Sequence, residues 1–235
     1  AKNAFKNLGR VPNDFSFGEF PEDFEHFEPY LSAAIKRLPA LEKTGIRKFF
    51  VGPESFTPDT SYLLGEVPEV RNFYVCCGFN SIGIASAGGA GRVTAEWMMN
   101  GHISEDLYSA DVRRFEKFHS SKKFIMERVT ETLGDLYGMH WPYKQHKTSR
   151  NQKLLPYHEE LKNAGACFGA VAGYERPMWF ARNGAEAKYE YSYNYQNWYP
   201  FVAYETRNTR KNIGLFDLTP FSKFELKGSK AHSEL

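Results

Sequence analysis

Residues 72–101 read NFYVCCGFNSIGIASAGGAGRVTAEWMMNG, and the fold turns on how they are understood. Phe73, Tyr74, Val75, Cys76 and Cys77 form a short apolar run suited to a buried strand. Gly78 ends the run, and the loop Phe79-Asn80-Ser81-Ile82-Gly83-Ile84 follows. Gly88, Gly89 and Gly91 then open a helix, with Val93 and Trp97 on one face and Thr94 and Met98 on another. Asn100-Gly101 suits its end. Strand, glycine loop and helix together bring bare backbone N–H groups and a positive helix end towards an anionic ligand. The glycines let a flat ligand approach the backbone, and a positive φ is expected at Gly83. The same shape also serves simple packing of a helix on a sheet. Its spacing departs from a G-x-G-x-x-G dinucleotide fingerprint.

Upstream, Phe15, Phe17, Phe20, Phe24 and Phe27 are mixed with Asp14, Glu19, Glu22, Asp23 and Glu25. Leu31, Ala34, Ile35 and Leu38 repeat at helical spacing, with Pro29 at the first helical position and Pro39 as the stop. Residues 46–51, IRKFFV, read as a strand that Gly52-Pro53 breaks. Helix, strand, polar turn, strand, glycine loop and helix make the closing part of an α/β domain.

Downstream, residues 113–118 and 124–129 read as helical, and residues 144–150 as a basic, solvated connection. His140 and His146 stand too isolated for metal ligands, so no metal is expected. A short helical pattern over residues 155–161 precedes an apolar strand introduced at residues 165–169, and the stretch GYERPMWF follows at 173–180. Residues 189–195 alternate tyrosine with polar residues, the pattern of a half-buried strand. Residues 202–211 read as a helix, and residues 213–219 and 221–228 as two strands about Pro220. This second part is α+β.

The chain has 235 residues, 42% of them hydrophobic and 25% charged, the make-up of a globular protein. A formal net charge of +2 argues against a nucleic-acid surface. No apolar run is long enough to span a bilayer. Cys76, Cys77 and Cys167 make neither a disulfide framework nor a zinc site. They read as buried, inert thiols in a reducing compartment.

Six segments, in order, resemble the sarcosine and dimethylglycine dehydrogenase family of FAD-dependent oxidoreductases. They are GPESFTPD (52–59), CGFNSIGIASAGGAGRVTAEWMMNG (77–101), DVRRF (111–115), LLPYHEELKNAGACFG (154–169), GYERPMWF (173–180) and IGLFDLTPFSKFELKG (213–228). The resemblance implies the C-terminal part of an amino-acid-oxidase-like FAD domain over residues 1–110. It implies a middle connecting segment over 111–156 and the start of an aminomethyltransferase-like, folate-binding domain over 157–235. The family's nucleotide-binding glycine fingerprint, flavin-attaching histidine and aminomethyltransferase acidic residue have no counterparts here. The chain is therefore expected to be an internal fragment of a longer enzyme.

The implied activity is oxidation of a small N-methyl amine, dimethylglycine or sarcosine, with FAD as hydride acceptor and tetrahydrofolate as one-carbon acceptor. Electrons would pass on to an acceptor protein or oxygen, in the cytoplasm or the mitochondrial matrix. The alternative is a non-catalytic regulatory or folate-binding relative of the same fold. By resemblance Gly78, Phe79, Asn80, Ser81, Ile82 and Gly83 line the flavin, mostly through their backbones. Glu54, with Pro53, heads the segment beside that loop as a catalytic candidate, with a surface or salt-bridged carboxylate as the other reading. Distant relatives attach flavin to a cysteine where this chain has Gly52, so Cys76 and Cys77 are not taken as anchors. Arg176 is expected in an inter-domain ion pair and Asp217 in a turn.

Overall fold

The computed structural model describes residues 4–5, 10–103 and 105–234, which fall into two compact units, Ala1–Arg114 and Phe115–Leu235. Among the described residues of the first unit, the first regular element is helix α1, Phe24–Arg37. Asp23 starts it: its side chain accepts from His26 N at 3.0 Å, satisfying a free donor of the first turn. Pro29 therefore lies inside the helix and not at its start, contrary to the sequence expectation. The ring of Phe49 packs on Phe24 and Phe27 at 4.6 and 5.0 Å, which holds the added turn in place.

Residues 46–51 are not a strand. Their alternation is used by aromatic packing on α1, and Val51 O accepts from Phe20 N at 2.7 Å without a ladder forming. Strand β1, Leu63–Glu66, pairs antiparallel with β2, Tyr74–Cys77, in the register Leu63 to Cys77 and Glu66 to Tyr74. Helix α2, Gly83–Asn100, packs on this ribbon through Ala90, Val93 and Trp97, and Gly101 at φ 74 closes it. The apolar centre is Leu64, Ala90 and Ala110, flanked by Tyr62 and Phe79.

At Gly65, with φ 105, the ring of Trp97 lies against bare backbone. A Cβ there would sit 2.3 Å from the ring. Helix α2 begins at Gly83 and not at the glycine cluster, because Gly88, Gly89 and Gly91 have helical backbone and lie within it. Cys76 and Cys77 are exposed, not buried. Among the described residues β2 pairs only with β1, which leaves its other edge unpaired.

In the second unit, helix α3, Lys122–Asp135, is capped by Ser121 Oγ accepting from Phe124 N at 3.1 Å. The sheet has the order β3-β5-β4, built from Lys153–Leu154, Tyr174–Phe180 and Ala166–Val171. Ala172 and Gly173, at φ 49 and 79, make the tight turn between β4 and β5 that matches strand twist. Pro177 sits where the register shifts, the place in a sheet that tolerates a missing N–H. Short helix α4, His158–Asn163, lies against β4, and α5, Tyr199–Lys211, against β5. Trp179 is the most buried large side chain, with 1% of its surface exposed.

The tyrosine alternation at residues 189–195 does not form a strand. Tyr189 and Tyr191 stack on each other at 5.6 Å and set their rings edge-on to Trp198, while the Tyr191 hydroxyl accepts from Gln145 N. Residues 213–228 likewise form no strands: among the described residues nothing pairs with them, and Ile213, Leu215 and Phe224 stand exposed. Asp217 does make a turn, accepting from Thr219 N at 2.9 Å. Arg176 stacks over the ring of Phe221 at 5.1 Å, and the ion pair of its segment belongs to Glu175 instead.

Candidate functional site

The loop after β2 is built on three left-handed residues, Gly78, Asn80 and Ser81, at φ 67, 48 and 68. Gly78 needs its bare backbone twice over, because a Cβ would also come within 3.1 Å of Thr57 Cγ2. Asn80 tolerates the left-handed form because its amide makes local bonds. Its Oδ1 accepts from Thr57 N at 2.8 Å, and its Nδ2 donates to Thr57 Oγ1 at 3.1 Å and to Gly78 O. With 2% of its surface exposed, Asn80 spends its side chain on clamping the loop. The expected positive φ at Gly83 is not found: Gly83 is the first helical residue, and a Cβ there would meet Phe79 at an ordinary 3.5 Å.

A second layer, which the sequence reading missed, holds Thr57. Thr57 Oγ1 donates to Ser61 O at 2.8 Å, and the same carbonyl accepts from Arg114 Nη2 at 2.8 Å. Arg114 also grips both oxygens of Asp59, at 2.6 and 3.0 Å, from a side chain only 6% exposed. A bidentate pair with one buried partner, as here, fixes geometry as well as adding attraction. The available signal was the T-P-D run at 57–59 followed far downstream by D-V-R-R.

What the clamp presents is the start of α2. Among the described residues no side chain caps this end, and its first turn holds no acidic residue. Ser86 N returns to Ile82 O, so the N–H groups of Gly83, Ile84 and Ala85 face outward at the positive pole of the helix. Ile82 and Ile84 are exposed beside them, and Phe79 is held back by stacking on Tyr62 at 5.0 Å. Free donors, a positive pole and an apolar shelf fit one edge and face of a flat, partly anionic ring system.

Across the loop, Ser81 Oγ donates to Glu54 Oε2 at 2.6 Å. Glu54 and Pro53 border an open hollow of about 640 Å³, walled by Phe15, Phe17 and Phe50. The structure thus brings together Glu54 and residues 78–83. Cys76 and Cys77 lie exposed on the strand behind, though partial desolvation of its sulfur together with the neighbouring Cys76 pushes the Cys77 thiol up.

In the second unit, carboxylates and cations close on one another. Glu131 accepts from Lys147 N at 2.7 Å, Thr148 N at 2.9 Å and Thr148 Oγ1, and Lys144 Nζ holds both oxygens of Asp135 at 2.6 Å. His146 is not isolated, as the sequence suggested. It joins Glu131 and Asp135 in a cluster whose ligand-type atoms lie within 4.8 Å of one another. Burial and the charge of Arg128 depress the His146 pKa, and protein donors already occupy both carboxylates. The cluster fastens residues 144–149 to α3.

Residues 7–97 match the family described as FAD dependent oxidoreductase, residues 100–154 its central domain, and residues 157–235 the GCVT N-terminal domain. The chain belongs to the sarcosine and dimethylglycine dehydrogenase family. It is 43% identical over 221 residues to 4-methylaminobutanoate oxidase (formaldehyde-forming) of Paenarthrobacter nicotinovorans, covering 94% of this chain and 27% of that protein. It is 38% identical over 214 residues to the mitochondrial sarcosine dehydrogenase of Mus musculus, covering 89% and 23%. A third relative is the mitochondrial pyruvate dehydrogenase phosphatase regulatory subunit of Mus musculus, 33% identical over 217 residues, covering 91% and 25%. The chain spans about a quarter of the length of these family members.

Proposed function

We propose that this chain is part of a longer flavoprotein that oxidises the N-methyl group of a small amino acid of the sarcosine or dimethylglycine type. The observation that carries the reading is the match to an oxidase and a dehydrogenase over 94% and 89% of the chain, both named for N-methyl amino acids. FAD, when bound, supplies the two-electron acceptor for hydride lost from the N-methyl carbon.

Residues 1–110 form part of the flavin domain in this reading, 111–156 the connecting segment, and 157–235 the start of the folate domain. The backbone of Gly78, Phe79, Asn80, Ser81, Ile82 and Gly83 lines the flavin. The open N–H groups at the start of α2 stabilise negative charge that grows there, and they do so without reorganising, because the Asn80 clamp has already set them. Ile82 and Ile84 exclude water from the same edge. The GCVT N-terminal match supports tetrahydrofolate as the acceptor of the one-carbon unit, with water as its competitor. An acceptor protein or oxygen takes the electrons onward, and the compartment is the cytoplasm or the mitochondrial matrix.

The regulatory-subunit relative favours a second reading, a non-catalytic protein of the same fold. One experiment separates them. The full-length protein is purified and titrated without oxygen with sarcosine, dimethylglycine and 4-methylaminobutanoate. Bleaching of bound flavin by any of the three, with formaldehyde released in the absence of folate, is the expected result. A protein that carries no flavin, or flavin that none of the amines bleaches, sinks the oxidase reading in favour of the regulatory one.

A further inference from the structure

The flavin reading uses backbone N–H groups and leaves one side chain without a task. Glu54 is held by Ser81 Oγ at a single oxygen, Oε2. Among the described residues its second oxygen, Oε1, has no partner. Ser81 makes this bond from φ 68, a conformation that non-glycine residues rarely adopt. The carboxylate borders the hollow walled by Phe15, Phe17 and Phe50. Aromatic faces and a carboxylate together favour a small organic cation, and the open oxygen is an acceptor for its N–H.

We infer that Glu54 makes this site select N-monomethyl amines over N,N-dimethyl amines, by accepting a hydrogen bond from the amine N–H. The inference rests on the proposed oxidase function. Both kinds of substrate carry an N–H while protonated, so both are drawn to the carboxylate. Loss of hydride from the methyl carbon draws on the nitrogen lone pair, so only the neutral amine reacts. A neutral secondary amine keeps one N–H and its bond to Glu54, whereas a neutral tertiary amine has none. The contact therefore survives into the transition state for one class alone, which is where an interaction raises kcat/KM. The amines named for the oxidase and the sarcosine dehydrogenase, 4-methylaminobutanoate and sarcosine, are both secondary.

The test uses the full-length protein as wild type, Glu54→Gln, Glu54→Leu and Ser81→Ala, with flavin content checked for each. kcat/KM is measured for sarcosine and dimethylglycine, and Ki for methoxyacetate, an inert sarcosine isostere with an ether oxygen in place of the N–H. Wild type should prefer sarcosine. In Glu54→Leu the sarcosine value should fall by about tenfold or more, the usual loss when a site loses its partner for a substrate N–H. The dimethylglycine value should fall by clearly less, because it loses only the attraction between the carboxylate and the positive charge that grows on either nitrogen, and methoxyacetate binding should hold steady or improve. Ser81→Ala, which leaves the carboxylate present but unheld, should shift the ratio the same way by less. It also keeps the test open should both Glu54 variants fail to fold. An unchanged sarcosine-to-dimethylglycine ratio, or equal losses for all three compounds, overturns the assignment while leaving the oxidase reading intact. Flavin that no amine bleaches in wild type overturns both.

Discussion

The loop of residues 78–82 and the segment of residues 144–151 are both polar connections held by buried side chains, yet they end differently. In the first, Asn80 fastens the loop from within and the helix end beyond it stays uncapped. In the second, Glu131, Asp135 and Glu175 take up the donors of Lys147, Thr148, Lys144, Arg150 and Asn151 among themselves. Donors that a fold leaves open after clamping them in place point to something bound from outside. Donors that it closes point to stability. Abundance of charge, greater in the second segment, is the poorer guide of the two.

The largest effect that would break this contrast is expected at Glu175, whose side chain is 2% exposed and pairs with Arg150. Glu175→Ala removes the only carboxylate that, among the described residues, faces the partly buried Arg150 guanidinium, leaving it the carbonyls of His146 and Phe168. That should cost about 3–5 kcal/mol in urea denaturation followed by tryptophan fluorescence. Acid sharpens the test. Burial raises the Glu175 pKa, but the Arg150 hydrogen bonds, the Asn151 N–H and the Arg150 charge outweigh it and hold the carboxyl below its ordinary 4.5. A depressed folded pKa gives stability that is present above about pH 4.5 and lost as pH falls through the lower folded value. Wild type should therefore lose stability over that window more steeply than Glu175→Ala. Parallel acid curves would show that the pair is not what holds residues 150–151.

A smaller effect belongs to Asn80. Asn80→Ala strands the buried Thr57 N–H and gives up a residue that tolerates φ 48, a loss of about 1–3 kcal/mol. Flavin retention by the full-length protein should fall with it, because the donors of α2 lose their set position. Full retention in a destabilised variant would separate the clamp from the flavin edge. The smallest effect concerns the thiols. Burial pushes Cys167 up to about 11, whereas Cys76 and Cys77 are exposed. An aromatic disulfide reagent should titrate two thiols in the native chain and the third only after denaturation. Cys76→Ser should change stability by no more than about 0.5 kcal/mol. Three fast thiols would mean that the core around Trp179 is open.

What the sequence made legible follows from how local each signal is. The strand of residues 74–77, the loop glycine at 78 and the helix beyond it announce themselves within one stretch, because apolar runs and backbone freedom need no distant partner. Residues 46–51, 189–195 and 213–228 carry strand-like patterns, but a strand exists only if another lies alongside. The first two spend their rings instead on Phe24, Phe27 and Trp198. The site divides the same way. Glycine marked the loop, while the work of the Asn80 amide stayed hidden because Thr57 lies 23 residues away. His146 looked solitary for the same reason, since Glu131 reaches it from a helix turn well upstream.

The ring of Trp97 against the naked backbone of Gly65 ties two positions, far apart in the chain, into one unit of variation. A side chain at 65 has no room unless the residue at 97 shrinks, and shrinking the residue at 97 opens a hole that only a side chain at 65 would fill. Even that exchange leaves the backbone at φ 105, which favours glycine. Neither position can drift singly, and the compensating route is itself strained. In a library of random variants, hairpin and helix should thus be joined by an immovable hinge-pin, with substitutions accumulating around it but not through it.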